Sequence, residues 1–139
     1  MSKLPSRKDK PKKLKLWSTK KCDIEFSKEI RARDKKCLRC GTTQRLTNSH
    51  YYSKGSTLTR YDPENCITLC YRCHYGAYYF GENGFQGWEY SREGEYKDFM
   101  IKWLGVAKYE ALKKRAHTYQ SLADAREKYQ ESYPLLTHL

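Results

Sequence analysis

Four of the chain's six cysteines fall in one pattern, Cys37-x2-Cys40-x29-Cys70-x2-Cys73. It restricts what the chain can fold into more than any other feature. Each C-x2-C turn presents two sulfurs to one point. Two such turns supply the four soft ligands of a tetrahedral zinc and close the residues between them into a loop. Disulfides are a competing reading, which a reducing cytosol disfavours. A redox C-x-x-C is another, but two such pairs are present and no thioredoxin-like βαβ pattern surrounds them. The expectation is a structural Zn²⁺ on Cys37, Cys40, Cys70 and Cys73. Cys66 reads as a small apolar residue buried in a strand, and Cys22 carries no assigned role.

The charge balance points to a polyanionic partner. Lys and Arg number 28 against 16 acids, a net charge of +12, in a chain of 139 residues that is one domain's worth. The excess is uneven. Residues 1–21 hold nine basic side chains and one acid, a net +8, which leaves +4 for the rest. Pro5 and Pro11 argue against a continuous helix there. The segment reads as a flexible basic arm on nucleic-acid phosphates, with Lys12, Lys13, Lys15, Lys20 and Lys21 among its contacts; a solvated tail is the plain alternative. No apolar run approaches the ~18 residues of a membrane helix, and the basic N-terminus lacks the apolar stretch of a secretory signal. The expectation is a cytoplasmic protein with no membrane partner.

Along the chain, Asp23 offers an N-cap for a helix to about Lys35, with Ile24, Phe26, Ser27 and Ile30 as its partial apolar face. Residues 44–52 read as a strand, 53–65 as a loop and Cys66–Cys70 as a short strand; a helix from Tyr71 carries Cys73 and His74. Residues 76–94 gather five of the eight glycines among Tyr78, Tyr79, Phe80, Phe85, Trp88 and Tyr90. They read as a loop with room for one short helix, its aromatics packing to enlarge a small core. Tyr96, Phe99, Met100, Trp103 and Leu104 recur at helical spacing up to Gly105. Residues 106–118 and 119–132 read as further helices, with Pro134 closing the pattern. The class is α+β.

Within and just after the cysteine spacer lie His50, Asn65 and His74. Strand, loop, strand and helix make a ββα unit pinned at both ends by the cysteine turns, in which His50 and His74 are expected to face one another across a crevice. Phosphodiester hydrolysis needs a base for water and a divalent cation for the developing charge. One imidazole suits the first task and a second suits ligation of the ion. The stretches Cys37-Leu-Arg-Cys-Gly41, Asn48-Ser-His-Tyr51, Arg60-Tyr-Asp-Pro-Glu-Asn-Cys66 and Leu69-Cys-Tyr-Arg-Cys-His74 together resemble an HNH (ββα-metal) endonuclease. The likeness is to the small zinc-stabilised type of phages and mobile elements, and it covers about residues 22–75. A weaker likeness is to phage NinG/Rap-type recombination nucleases.

The resemblance implies that His50 is the general base, that Asn65 fixes the loop orienting it, and that His74 binds a catalytic divalent ion, Mg²⁺ or another. It also implies products with 5′-phosphate and 3′-hydroxyl ends. One departure stands out. The position before the base, usually an acid or His that completes the metal site, is Ser49, a poor ligand. Asp62 and Asp23 are the unranked candidates to replace it, and an Asp at position 49 is expected to tighten metal binding if the backbone matches the family. Lys54 and Arg60 on the connecting loop are candidate phosphate clamps.

The expected organisation is an arm over 1–21 and a single nuclease domain over 22–139. That domain divides into a zinc-bound ββα core (22–75), a Gly/aromatic loop (76–94) and C-terminal helices (95–133). The expected function is metal-dependent DNA cleavage, nicking as a monomer and double-strand cutting as a dimer, although the sequence does not indicate an oligomer. If the chain is phage-encoded, its place is the host cytoplasm. The alternative is a non-catalytic zinc module that binds nucleic acid, which would not need His50 together with Asn65 and His74.

Overall fold

Two five-residue strands, β1 (Leu46–His50) and β2 (Cys66–Cys70), pair antiparallel, with Leu46 opposite Cys70 and His50 opposite Cys66. A two-stranded sheet is marginal by itself, and here helices cover both faces. The computed structural model describes residues 15–76 and 85–136. In chain order the helices are α1 (Thr19–Asp34), α2 (Tyr71–Tyr75), α3 (Glu95–Leu104), α4 (Val106–Ala116) and α5 (Leu122–Ser132), with 3-10 turns at Thr57–Thr59 and Trp88–Tyr90. This is the α+β arrangement expected. β2 follows the expected span. β1 is shorter than the expected 44–52, its start marked by Arg45 in the left-handed region at φ 53°.

β2 is buried along its whole length because its two faces serve two cores. Ile67 and Leu69 pack with Tyr51, Trp88, Tyr96, Met100, Tyr109 and Leu112. Cys66 joins Cys22, Phe26, Ile30, Tyr61, Ala125 and Tyr129 under α1 and α5. Tyr61 stacks on Tyr129 with ring centroids 5.0 Å apart, and Phe26 meets both rings edge-on. The α3 stripe is core where Tyr96 and Met100 stand, whereas Trp103 at its far end is exposed. In the glycine-rich stretch, Trp88 stacks on Tyr96 at 5.1 Å and Phe85 packs against the same core, so these two enlarge the core as expected, whereas Tyr90 is exposed. Tyr78, Tyr79 and Phe80 lie outside the described residues.

The N-terminal helix starts earlier than Asp23. Ser18 is its N-cap, with the hydroxyl accepting the Lys21 N–H at 3.1 Å. Both residues have cap chemistry. The earlier start prevails because Cys22, Phe26 and Ile30, four residues apart, form the buried face. Cys22, unassigned from sequence, is the first member of that face, and Ile24 points outward. The boundary expected at residue 21 shifts accordingly: the Trp17 N–H donates to Gln130 Oε1 at 2.7 Å, and Gln130 Nε2 donates to the Lys15 carbonyl at 3.0 Å. Lys15, Lys20 and Lys21 thus belong to the folded part and are exposed, whereas Lys12 and Lys13 lie outside the described residues. No helix among the described residues is long and apolar enough to cross a membrane.

The C-terminal end of α1 is fastened to β2 by charge-assisted bonds. Arg33 donates to the carbonyls of Pro63 at 2.8 Å and Cys66 at 2.6 Å, and Asp34, paired with Arg33, accepts the Thr68 N–H at 2.8 Å. Removing the guanidinium leaves two carbonyls and a mostly buried carboxylate without their partner. Arg33→Ala is expected to cost about 2–3 kcal/mol in urea unfolding, with m unchanged; a loss below about 0.5 kcal/mol would show the clamp to be incidental.

Candidate functional site

The two cysteine turns converge. Cys37 and Cys40 lie just ahead of β1, and Cys70 and Cys73 span the junction of β2 and α2. Their four Sγ atoms all lie within 4.8 Å of one another, with Cys40 and Cys70 at 3.7 Å. Zn–S bonds of about 2.3 Å in a tetrahedron place sulfurs about 3.8 Å apart, so the donor set fits zinc. In each turn the N–H of the second cysteine donates to the sulfur of the first at 3.4 Å (Cys40 to Cys37, Cys73 to Cys70), a contact that favours thiolates. Burial alone would push the Cys37 thiol up; hydrogen bonds from the backbone of Cys70, Cys40 and Arg39 outweigh it and bring the group down to about 7.

The connecting loop fixes His50 at the end of β1. The ring is mostly buried, and its Nε2 donates to the Arg60 carbonyl at 2.8 Å. That bond selects the Nε2–H tautomer and leaves the Nδ1 lone pair free. Burial lowers the His50 pKa to about 4, with the charges of Lys54 and Arg60 adding to the effect against the Arg60 carbonyl bond and Asp23. The imidazole is therefore neutral at pH 7. Fully buried Asn65 latches the loop that carries Arg60. Its Nδ2 donates to the carbonyls of Tyr52 and Thr59, each at 3.0 Å, and its Oδ1 accepts the Tyr52 N–H at 2.8 Å. Its backbone carbonyl also takes the Tyr51 N–H.

Arg60 contributes through its carbonyl more than its charge. The guanidinium is bound two-pronged by Asp23, at 3.1 and 2.7 Å, and donates to the Lys54 carbonyl at 3.3 Å. The phosphate clamp expected of Arg60 is thus already engaged inside the fold, and exposed Lys54, 3.8 Å from Asp23, is the loop cation that faces solvent. Asp23 and Asp62 are equally committed: Asp23 also accepts the Tyr61 hydroxyl, and Asp62 pairs with Arg115 at 2.9 Å.

His74, in the first turn of α2, is buried against β1. The Thr47 hydroxyl gives its one proton to the Leu69 carbonyl at 2.7 Å, so the His74 Nδ1, 2.9 Å away, must be the donor to that oxygen. The other nitrogen, Nε2, lies 3.2 Å from Oε2 of Glu89, whose Oε1 accepts from Arg92 at 2.6 Å. Glu89 went unnoticed in the sequence because it stands 15 positions after His74. The signal that could have found it is the pair Gly76 and Gly87. A Cβ on Gly87 would lie 2.3 Å from backbone atoms of Tyr75 and Gly76, and one on Gly76 2.8 Å from the Gly87 nitrogen. Only glycine at both positions lets the Trp88 turn rest on the end of α2 and bring Glu89 to the imidazole.

The two imidazoles are held by different parts of β1. The register sets His50 beside Cys66 on the α1 face, where its ring is 6.4 Å from that of Phe26, whereas Thr47, the partner of His74, lies on the face that meets α3. The charge of Lys54 acts on both rings. Ser49 shares the Thr47 face but is fully buried, and its hydroxyl is 2.8 Å from the Tyr96 hydroxyl. An Asp there would lose that fit and bury a carboxylate, so the expectation that Ser49→Asp would tighten a metal site does not suit this packing.

Residues 37–77 match the family model described as HNH endonuclease. The segment holds all four clustered cysteines together with His50, Asn65 and His74. No curated protein and no solved structure matches the chain.

Two outcomes follow. Purified protein should hold about one zinc per chain by elemental analysis, and stripping it with a strong chelator should unfold the ββα segment; a metal-free chain with an unchanged melting temperature would exclude a structural ion. The His50 ring should titrate near pH 4 by NMR rather than at the ordinary 6.5. Because its folded pKa lies below the unfolded value, its contribution to stability is complete above about pH 6.5 and is lost as pH falls toward 4; His50→Gln should flatten that part of the stability profile.

Proposed function

We propose that this protein is a metal-dependent DNA endonuclease whose general base is His50. The reading rests above all on one arrangement within the HNH segment: a buried imidazole whose tautomer is fixed by the Arg60 carbonyl, on a loop latched by Asn65. A carbonyl on Nε2 leaves Nδ1 to take a proton from water as the water attacks phosphorus in line with the departing 3′-oxygen. A histidine already neutral at pH 7 needs no prior deprotonation. The negative charge of a phosphate brought beside Lys54 opposes the depression of its pKa and strengthens it as a base.

A divalent cation, when bound, supplies stabilisation of charge on the phosphorane and the leaving oxygen. His74, with its Nε2 directed away from Thr47, is the imidazole that would hold it. Asn65 acts through the loop as a positioning residue. Lys54 is the proposed phosphate contact. Exposed Lys15, Lys20 and Lys21, together with Lys12 and Lys13, give the sequence-independent attraction to the DNA backbone. One such site per chain makes a nick the elementary product; a double-strand cut takes two copies.

The test is conversion of supercoiled plasmid to open circles with Mg²⁺, Mn²⁺, Co²⁺, Ni²⁺ or Zn²⁺. His50→Ala should lower the nicking rate by about 10² or more while zinc content and DNA binding persist. Equal activity in wild type and His50→Ala, or DNA binding without nicking under every ion, would make the chain a zinc-containing nucleic-acid-binding module.

A further inference from the structure

The resemblance leads one to expect an acid or His where this chain has Ser49, and the fold brings a carboxylate to His74 from outside the matched segment. We propose that Glu89 and His74 form the protein's half of a divalent-cation site, with Glu89 Oε2 and His74 Nε2 as its two ligands. This deepens the endonuclease reading and rests on it only for what the ion does.

The Thr47 hydroxyl has one proton, spent on the Leu69 carbonyl, so the His74 proton sits on Nδ1. In the neutral ring Nε2 then carries a lone pair, and this lone pair lies 3.2 Å from a carboxylate oxygen. That distance serves a hydrogen bond from a protonated Nε2 or a cation held by both atoms. The spacing suits the metal, since cis ligands of an octahedral Mg²⁺ or Mn²⁺ stand about 3 Å apart at bond lengths near 2.1 Å. The surroundings are built for it. Thr47 fixes the ring from behind, as the partner of a ligating histidine does. Arg92 holds the other carboxylate oxygen at 2.6 Å and so aims Oε2 inward. Trp88, buried and stacked on Tyr96, anchors the turn, and Arg39 ties its approach to α2 by donating to the carbonyls of Cys73 at 3.2 Å and Gln86 at 3.0 Å.

The chemistry of the pair selects the class of ion. Among the described residues the four cysteines are the one group of three or more such donors close enough to enclose a metal. Glu89 and His74 are two donors, partly open to solvent through Glu89. Zinc is held by three or four protein ligands, whereas Mg²⁺ and Mn²⁺ accept one or two and complete their shell with water and phosphate oxygens. The site therefore takes a hard, hydrated cation that binds weakly alone and more tightly once a phosphodiester joins the shell.

The experiment is a Mn²⁺ titration of the zinc-loaded full chain, followed by loss of the free-ion EPR signal, with paramagnetic broadening of the His74 ring resonances as the locator. Wild type should bind one Mn²⁺ and broaden His74 ahead of His117. Glu89→Gln, of the same shape, should weaken binding about tenfold or more, with zinc content and melting temperature kept. Glu89→Asp should fall between the two. Unchanged Mn²⁺ affinity in Glu89→Gln, or no Mn²⁺ binding with His74 a stable imidazolium at pH 7, would overturn the proposal in favour of a plain ion pair. Plasmid nicking read in parallel separates the two claims. Ion-dependent nicking with a normal Glu89→Gln titration sinks the Glu89 ligand alone. Mn²⁺ held by the pair in a chain that never nicks sinks the endonuclease reading alone.

Discussion

The convergence of four cysteine sulfurs is the constraint on which the rest of the ββα segment depends. The chain between Cys40 and Cys70 runs out along β1, around a loop and back along β2, and a hairpin of two five-residue strands buries too little to hold itself. Drawing Cys37 and Cys40 to Cys70 and Cys73 closes that excursion at its base, and an ion bound only by the folded site would add its binding free energy to folding. It also fixes the start of α2, since Cys73 and His74 are consecutive. The site histidine on α2 is positioned by the same turn that completes the sulfur cluster.

From that base the fold treats its two imidazoles in opposite ways. His50 is held by a backbone carbonyl on Nε2, with no protein hydrogen-bond partner at Nδ1 among the described residues. His74 is held at Nδ1 by a threonine whose own proton is spent elsewhere, and its Nε2 is turned to a carboxylate. The difference arises from strand alternation: neighbouring positions on β1 address different cores, α1 and its aromatic cluster on one side, α3 and the Trp88 turn on the other. The imidazole proposed as base and the one proposed to hold an ion thus sit in different electrostatic surroundings.

The loop between the strands is stiffened by polar groups rather than by apolar mass. Asn65 closes it on Tyr52 and Thr59, Asp23 reaches across from α1 to grip Arg60 and Tyr61, and Arg33 secures the Pro63 and Cys66 carbonyls. Burial of such groups is tolerable only when each is paired. The consequence is that a charged residue which looks free in the sequence, Arg60, is consumed in holding its own carbonyl against His50. On that loop the cation left facing solvent is Lys54.

Residue type and local spacing were enough to determine the four-sulfur cluster, the short β2 strand, the helix that follows it and the histidine–asparagine–histidine order, because cysteine turns, β-formers and helical periodicity act over a few residues and leave their mark in the sequence. They also determined that Tyr96 and Met100 lie in the core and that Trp88 and Phe85 pack against it. Tertiary structure alone decided where α1 begins, since Ser18 and Asp23 are both competent caps and the buried face of Cys22, Phe26 and Ile30 chooses between them. It alone decided that His50 is held by the Arg60 carbonyl and His74 by Thr47, that Ser49 belongs to Tyr96, and that Asp23 and Asp62 are spent on arginines. And it alone brought Glu89 to His74. That meeting depends on Gly76 and Gly87, whose backbones touch, and although the glycines stand in the sequence, their close approach is decided by packing.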